Sequence, residues 1–268
     1  MRLFLLSVAA LVAASTTCWS SGLTLANLEP AKGDKTVYRV SETSTITFEG
    51  APAKATSTGA GTQTSEVVAV SKPKGATVYA ELTTQTMKRT RTPGGSEDSS
   101  SYILEVCRAV PFGLFVDANI SVEDGEDSSI DVGKSLLEVK FPCEPGATWR
   151  VGRLGFKEGF SLRPVSKAES IETVSVPAGT FANCVKVVST CPAGIEGYLM
   201  QEGQKLEIVS GEASFTSWYA PLIGVVKEFS NTSLRLRPEG QDQAAVLKMD
   251  TTTQTELTEY KLGQRGKK

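Results

Sequence analysis

Histidine is absent from this 268-residue chain. That removes the side chain most often used as a general base near neutral pH and as a metal ligand. Ser–His–Asp and Cys–His nucleophiles are excluded, and so are the His-containing zinc sites. Catalysis would have to rest on carboxylates or lysine. Long apolar runs are missing beyond the first 14 residues, so no later stretch reads as a transmembrane helix. Charge of one sign is missing too. The net charge is −2, and the single local excess is the short basic end at Arg265, Lys267 and Lys268. A generic electrostatic grip on nucleic acid or anionic lipid is therefore not expected. No phosphate-binding loop or dinucleotide fingerprint occurs. The glycines between Gly152 and Gly159 read as turns. The acidic run Glu123–Asp127 lacks the spacing of a calcium loop. No cofactor and no metal is expected.

What is present begins with the N-terminus. Arg2 precedes an apolar stretch, Leu3–Ala14, and the small residues Ala13 to Thr17 follow. This is the order of a signal peptide, assigned to residues 1–21, and it places the mature chain in the periplasm or outside the cell. Cys18 is a candidate for lipidation and hence for a membrane anchor. Ser15 and Thr17 stand where a lipoprotein signal usually has leucine and a small residue such as glycine, alanine or serine. Four further cysteines, Cys107, Cys143, Cys184 and Cys191, form an even set, which in an exported chain suggests disulfide bonds. Cys184 and Cys191 sit at the ends of an extended run, about 20 Å apart at the rise of a strand, whereas a bond needs Cα atoms within about 7 Å. Crosslinks from this run to Cys107 and Cys143 are expected, with the pairing open.

The rest reads as many short strands separated by Gly, Pro and Asx turns, with almost no amphipathic helix. Residues 22–35 read as a linker. Residues 36–262 read as one antiparallel β domain, and residues 263–268 as a basic tail. Residues 50–64 and 90–100, small, polar and glycine-bearing, read as loops, and Val132–Val139 as a short helix. The expected class is all-β with a minor helix.

Three motifs carry a resemblance. Lys140-Phe-Pro-Cys-Glu-Pro-Gly-Ala-Thr-Trp149 leads into a strand. Thr173-Val-Ser-Val-Pro-Ala-Gly-Thr-Phe181, followed by Cys184-Val-Lys-Val187, and Trp218-Tyr-Ala-Pro-Leu-Ile-Gly-Val-Val-Lys-Glu228 each read as strand, turn, strand. In this order, over residues 136–230, they resemble the DUF3108/TapB-like family of exported bacterial proteins. The resemblance implies a curved antiparallel sheet or half-barrel, LolA/LolB-like, without established enzymatic activity. Leu222 stands where the family often has glycine. The motif residues also have a plain reading as turns and packing, in which Trp218 and Tyr219 face opposite sides of one strand.

The function expected is that of a non-enzymatic binding module for a hydrophobic ligand, a lipid or a lipoprotein tail. Trp218, Tyr219, Phe181 and Trp149 are its candidate contacts. A structural or protein-interaction component of the cell envelope is the alternative. A carboxylate enzyme acting on polysaccharide is a third reading. Its candidates Glu158, Glu169, Glu172 and Glu228 show no spacing that singles out a pair.

Overall fold

Strands form here because inward and outward residues alternate along nearly the whole chain. In a computed structural model that describes residues 23–24, 30–48, 54–133, 135–156, 159–201, 204–240 and 246–265, every described element is a strand. The first five are β1 (Lys35–Phe48), β2 (Lys54–Ser71), β3 (Thr77–Thr92), β4 (Ser96–Val110) and β5 (Gly113–Glu123). Short pieces follow: β6 (Glu126–Asp127), β7 (Ile130–Asp131), β8 (Leu136–Lys140), β9 (Thr148–Arg150), β10 (Leu154–Phe156) and β11 (Phe160–Leu162). The chain then returns to long strands with β12 (Val165–Val176), β13 (Gly179–Thr190), β14 (Ile195–Gln201), β15 (Gln204–Ala220), β16 (Gly224–Pro238) and β17 (Leu247–Lys261).

The main sheet is antiparallel and curls into a half-barrel. One half is the meander β1 to β5 with β8 beside β5. The other runs β9, β12, β13, β15, β16, β17. β17 lies along the whole of β1, from Lys35↔Lys261 to Phe48↔Leu247, and joins the halves. The far edges approach each other where Leu137 N donates to Val151 O at 2.8 Å. A small second sheet, β7–β10–β11–β14, brings Ile130, Leu154, Phe156, Phe160, Leu162 and Ile195 into the main core. Phe156 and Phe160 stack there at 4.1 Å.

The concave side is polar as well as apolar. Along β3, Tyr79, Glu81, Thr83, Gln85, Met87 and Arg89 are buried in alternation with more exposed residues. Arg89 and Glu42 form a buried ion pair, Nε to Oε1 3.1 Å, and Arg89 Nη1 also donates to Ser99 Oγ. A smaller core gathers Tyr38, Val174, Cys184, Ala220, Ile223, Val226 and Leu257, against which Phe181 and Trp218 pack.

Several expectations change. Residues 54–64 are strand, not loop, and so are most of residues 90–100. Gly61 is required by close approach: a Cβ there would lie 2.0 Å from Thr86 O and 2.4 Å from Met87 Sδ. Small polar residues thus mark tightly packed pairing, not flexibility. The helix expected at Val132–Val139 is absent. Gly133 takes φ 59 and splits the segment between β7 and β8. Within the segment read as a leading linker, Leu23 is fully buried and bridges Cys143, whose N donates to Leu23 O at 3.0 Å. Asp34 is also buried and accepts from Gly263 N and Arg265, holding the two ends together. The signal peptide and Cys18 lie outside the described residues.

Candidate functional site

Register assembles the most unusual cluster. Glu81 on β3 faces Glu105 on β4, and Glu105 faces Asn119 on β5. Directly opposed side chains in such pairs have Cβ atoms about 4.5–5.5 Å apart, and like charges there are unfavourable. All three are buried on the concave side. Asn119 Nδ2 donates to Glu105 Oε1 at 2.9 Å, and its Oδ1 accepts from Ile130 N at 3.1 Å. From the other half of the sheet comes Glu228 on β16, in register with Ser217 on β15, whose hydroxyl donates to it at 2.9 Å.

Burial dominates the electrostatics. Loss of water pushes the Glu105 carboxyl up to about 8 despite its bond to Asn119, with Glu81 adding to the rise. The same cause pushes Glu81 and Glu228 each up to about 7. Charged carboxylates are disfavoured when desolvated without a cation beside them.

Glu105, Glu138, Asn119 and Glu228 line a partly open pocket of about 80 Å³, together with Ser217, Tyr219, Phe215, Val116 and Val132. This is far below the roughly 300–1,000 Å³ of ordinary ligand sites, and it leaves no enclosed room there for a lipid chain or a sugar. A larger concavity, about 1010 Å³, is an open groove beside residues 190–197 and 207–214, away from the buried carboxyls. Among the described residues no group of three or more His, Cys, Asp or Glu is placed to hold a metal ion.

The four aromatic candidates are not brought together. Tyr219 is buried and lines the cavity. Trp149 is buried in the same core and donates from Nε1 to Glu138 O at 3.0 Å. Trp218 and Phe181 belong to the smaller cluster: the Trp218 indole bonds Glu172 under Lys227, and Phe181 meets Tyr260 edge-on. Trp218 and Tyr219 do take opposite faces, as alternation requires. Of the carboxylate candidates, Glu169 is paired with Lys186, Glu172 with Trp218, and Glu228 is buried; Glu158 lies outside the described residues.

The four described cysteines are free thiols, not the crosslinks expected. Cys184 belongs to the smaller cluster and the other three to the main core. Burial pushes the thiols up, to about 12 for Cys143 and about 11 for Cys184 and Cys191, so each stays protonated and inert as a nucleophile.

The convex face carries an apolar patch that sequence reasoning missed. Three adjacent rows cross β3, β4 and β5: Ala80–Val106–Ala118, Leu82–Leu104–Ile120 and Thr84–Tyr102–Val122. Ile120 is 58% exposed, Tyr102 55% and Leu82 37%. The signal was visible only once register was known, because both faces of these strands mix polar and apolar residues.

No family model matches the chain, and no curated protein matches it. Solved structures give distant likenesses. One is a presumed lipoprotein from Parabacteroides distasonis, 12% identical over 92% of this chain and 100% of that one, with a TM-score of 0.35. Another is a presumed exported protein with YmcC-like fold from Bacteroides fragilis, 13% identical over 87% and 98%, TM-score 0.31. A third is the β domain of the Bordetella autotransporter BrkA, 9% identical over 84% and 99%, TM-score 0.28. At these scores the likenesses carry no functional inference for this chain.

Proposed function

We propose that this chain is a non-enzymatic, exported component of the bacterial cell envelope that works through contacts of its outer surface. The observation that carries the reading is the pairing of a filled interior with an apolar convex face. The cavity of about 80 Å³ is too small for the lipid or lipoprotein tail expected from the sequence, whereas Leu82, Tyr102 and Ile120 stand exposed in adjoining rows. Contiguous exposed apolar surface of this kind marks interaction sites. Export rests on the N-terminal residues 1–21, and the absence of histidine together with the burial of Glu81, Glu105 and Glu228 supports a non-enzymatic role. Membership of the DUF3108/TapB-like family rests on the three motifs quoted above.

Photocrosslinking in the native envelope tests the reading. A photoreactive residue placed at Tyr102 is expected to give a discrete crosslinked species. The same residue at Thr43 is expected to give none. Equal crosslinking from both positions, or none from Tyr102, sinks the proposal.

A further inference from the structure

The partly open pocket has a composition that its own side chains do not satisfy. Glu105 is 6% exposed, yet its Oε2 has no hydrogen-bond partner. Its Oε1 already takes the one Asn119 donor directed at it, and the Ser217 hydroxyl is given to Glu228. Trp149 Nε1, close by, is used by the main-chain oxygen of Glu138. No lysine or arginine lines the cavity, although Glu105, Glu138 and Glu228 all do. A buried acceptor left unpaired costs about 1–3 kcal/mol, more when it is charged. Burial keeps a proton on Glu105 while the space is empty, and a cation that enters displaces that proton to solvent and takes its place beside Glu105 Oε2.

Size and walls narrow the chemistry. With about 80 Å³ of room, the pocket takes only a small occupant. Val116, Val132 and Phe215 supply apolar wall beside the oxygens. The described acidic groups are not gathered as metal ligands. We infer that the cavity is a binding site for a short alkylammonium cation of one or two carbons, its N–H groups on Glu105 Oε2 and the neighbouring oxygens and its alkyl end on the valines. This site is independent of the convex face and stands or falls separately.

The test is a chemical-shift titration of the full chain, read at the amides of Asn119, Ile130 and Ser217. The additives are methylammonium chloride, sodium chloride at matched ionic strength, and ethanol. The expected result is saturable shifts with methylammonium and none with sodium chloride. A hydrogen bond to a charged group is worth about 1.5–3 kcal/mol, so Glu105→Gln should weaken binding about tenfold or more. Glu228→Gln is a second variant that removes a carboxylate from the same wall. Saturation by ethanol alone would mean a neutral occupant and overturn the assignment. Equal shifts with sodium chloride would overturn it as an ionic-strength effect. No saturable shift from any additive in the wild-type chain would mean that the cavity holds water only, and would overturn it too.

Discussion

Replacing Glu105 by Gln should make the protein less sensitive to alkali. Gln keeps a carbonyl oxygen where Glu105 Oε1 accepts from Asn119, so the local shape survives while the titrating proton is lost. In the wild type the folded carboxyl is pushed up to about 8 from an ordinary value of 4.5. The folded state therefore holds more protons than the unfolded state between these values. Stability must then fall as pH rises, by about 1.4 kcal/mol per pH unit for this one group. It is fully present below about pH 4.5 and fully lost above about pH 8. Between pH 5 and pH 9 the loss comes to about 4 kcal/mol, a large part of the 5–15 kcal/mol that holds a typical domain together. Glu228 keeps its own dependence in both proteins, while Glu81 is relieved of its charged neighbour in the variant. Urea unfolding followed by tryptophan fluorescence at pH 5, 7 and 9 measures the difference. The variant should gain on the wild type by about 4 kcal/mol from pH 5 to pH 9. A gap that stays constant with pH, or that widens towards acid, would refute the reasoning.

Two other expectations can be checked on the same protein. Leu222 takes φ 68 in the turn between β15 and β16 and is 54% exposed. A left-handed non-glycine residue costs about 1–2 kcal/mol, partly offset by the roughly 0.5–1 kcal/mol of extra chain freedom that glycine brings to the unfolded state. Leu222→Gly should raise Tm by a few degrees, at about 2–4 °C per kcal/mol, while Ile223→Gly, which strips a buried side chain from the smaller core, should lower it. A lower Tm for Leu222→Gly would count against a strained turn. The four described thiols should resist a water-soluble disulfide reagent at pH 8 in the native protein and all react in urea; a fast native reaction at any of them contradicts the burial described.

The two hairpins between Val174 and Glu228 were legible in the sequence because their turns carry chemistry of their own. Gly179 at φ 138 and Gly224 at φ 98 adopt conformations that L side chains rarely take. Leu222 at φ 68 takes, in the same turn, a conformation that glycine adopts without cost. The first half was less readable. β2 is built from threonine, serine, alanine and glycine, whose small side chains suit both a loop and a crowded sheet, and only the neighbouring Met87 decides between them. The candidate pocket was readable only through Tyr219 and Glu228, which were singled out for other reasons. Glu105 and Asn119 sit in strands that mix polar and apolar residues on both faces, and bulges at Val67/Ala69 and Val106/Cys107 shift the alternation part-way along. Tyr219 was found because it lies beside Trp218 in a recognisable motif, while Glu105 lies in none.

The seam between β1 and β17 sets the order in which the molecule can be completed. These strands pair over their full length although some two hundred residues of chain separate them. Contacts so distant in sequence make folding slow, because a large loop must close before pairing stabilises anything. The meander β1 to β5 can pair locally, but the outer edge of β1 stays open until β17 has arrived, and an open edge is a template for pairing with another chain. The last strand to be made is thus the one that covers that edge, and a chain cut short before Leu247 would expose β1 along its whole length.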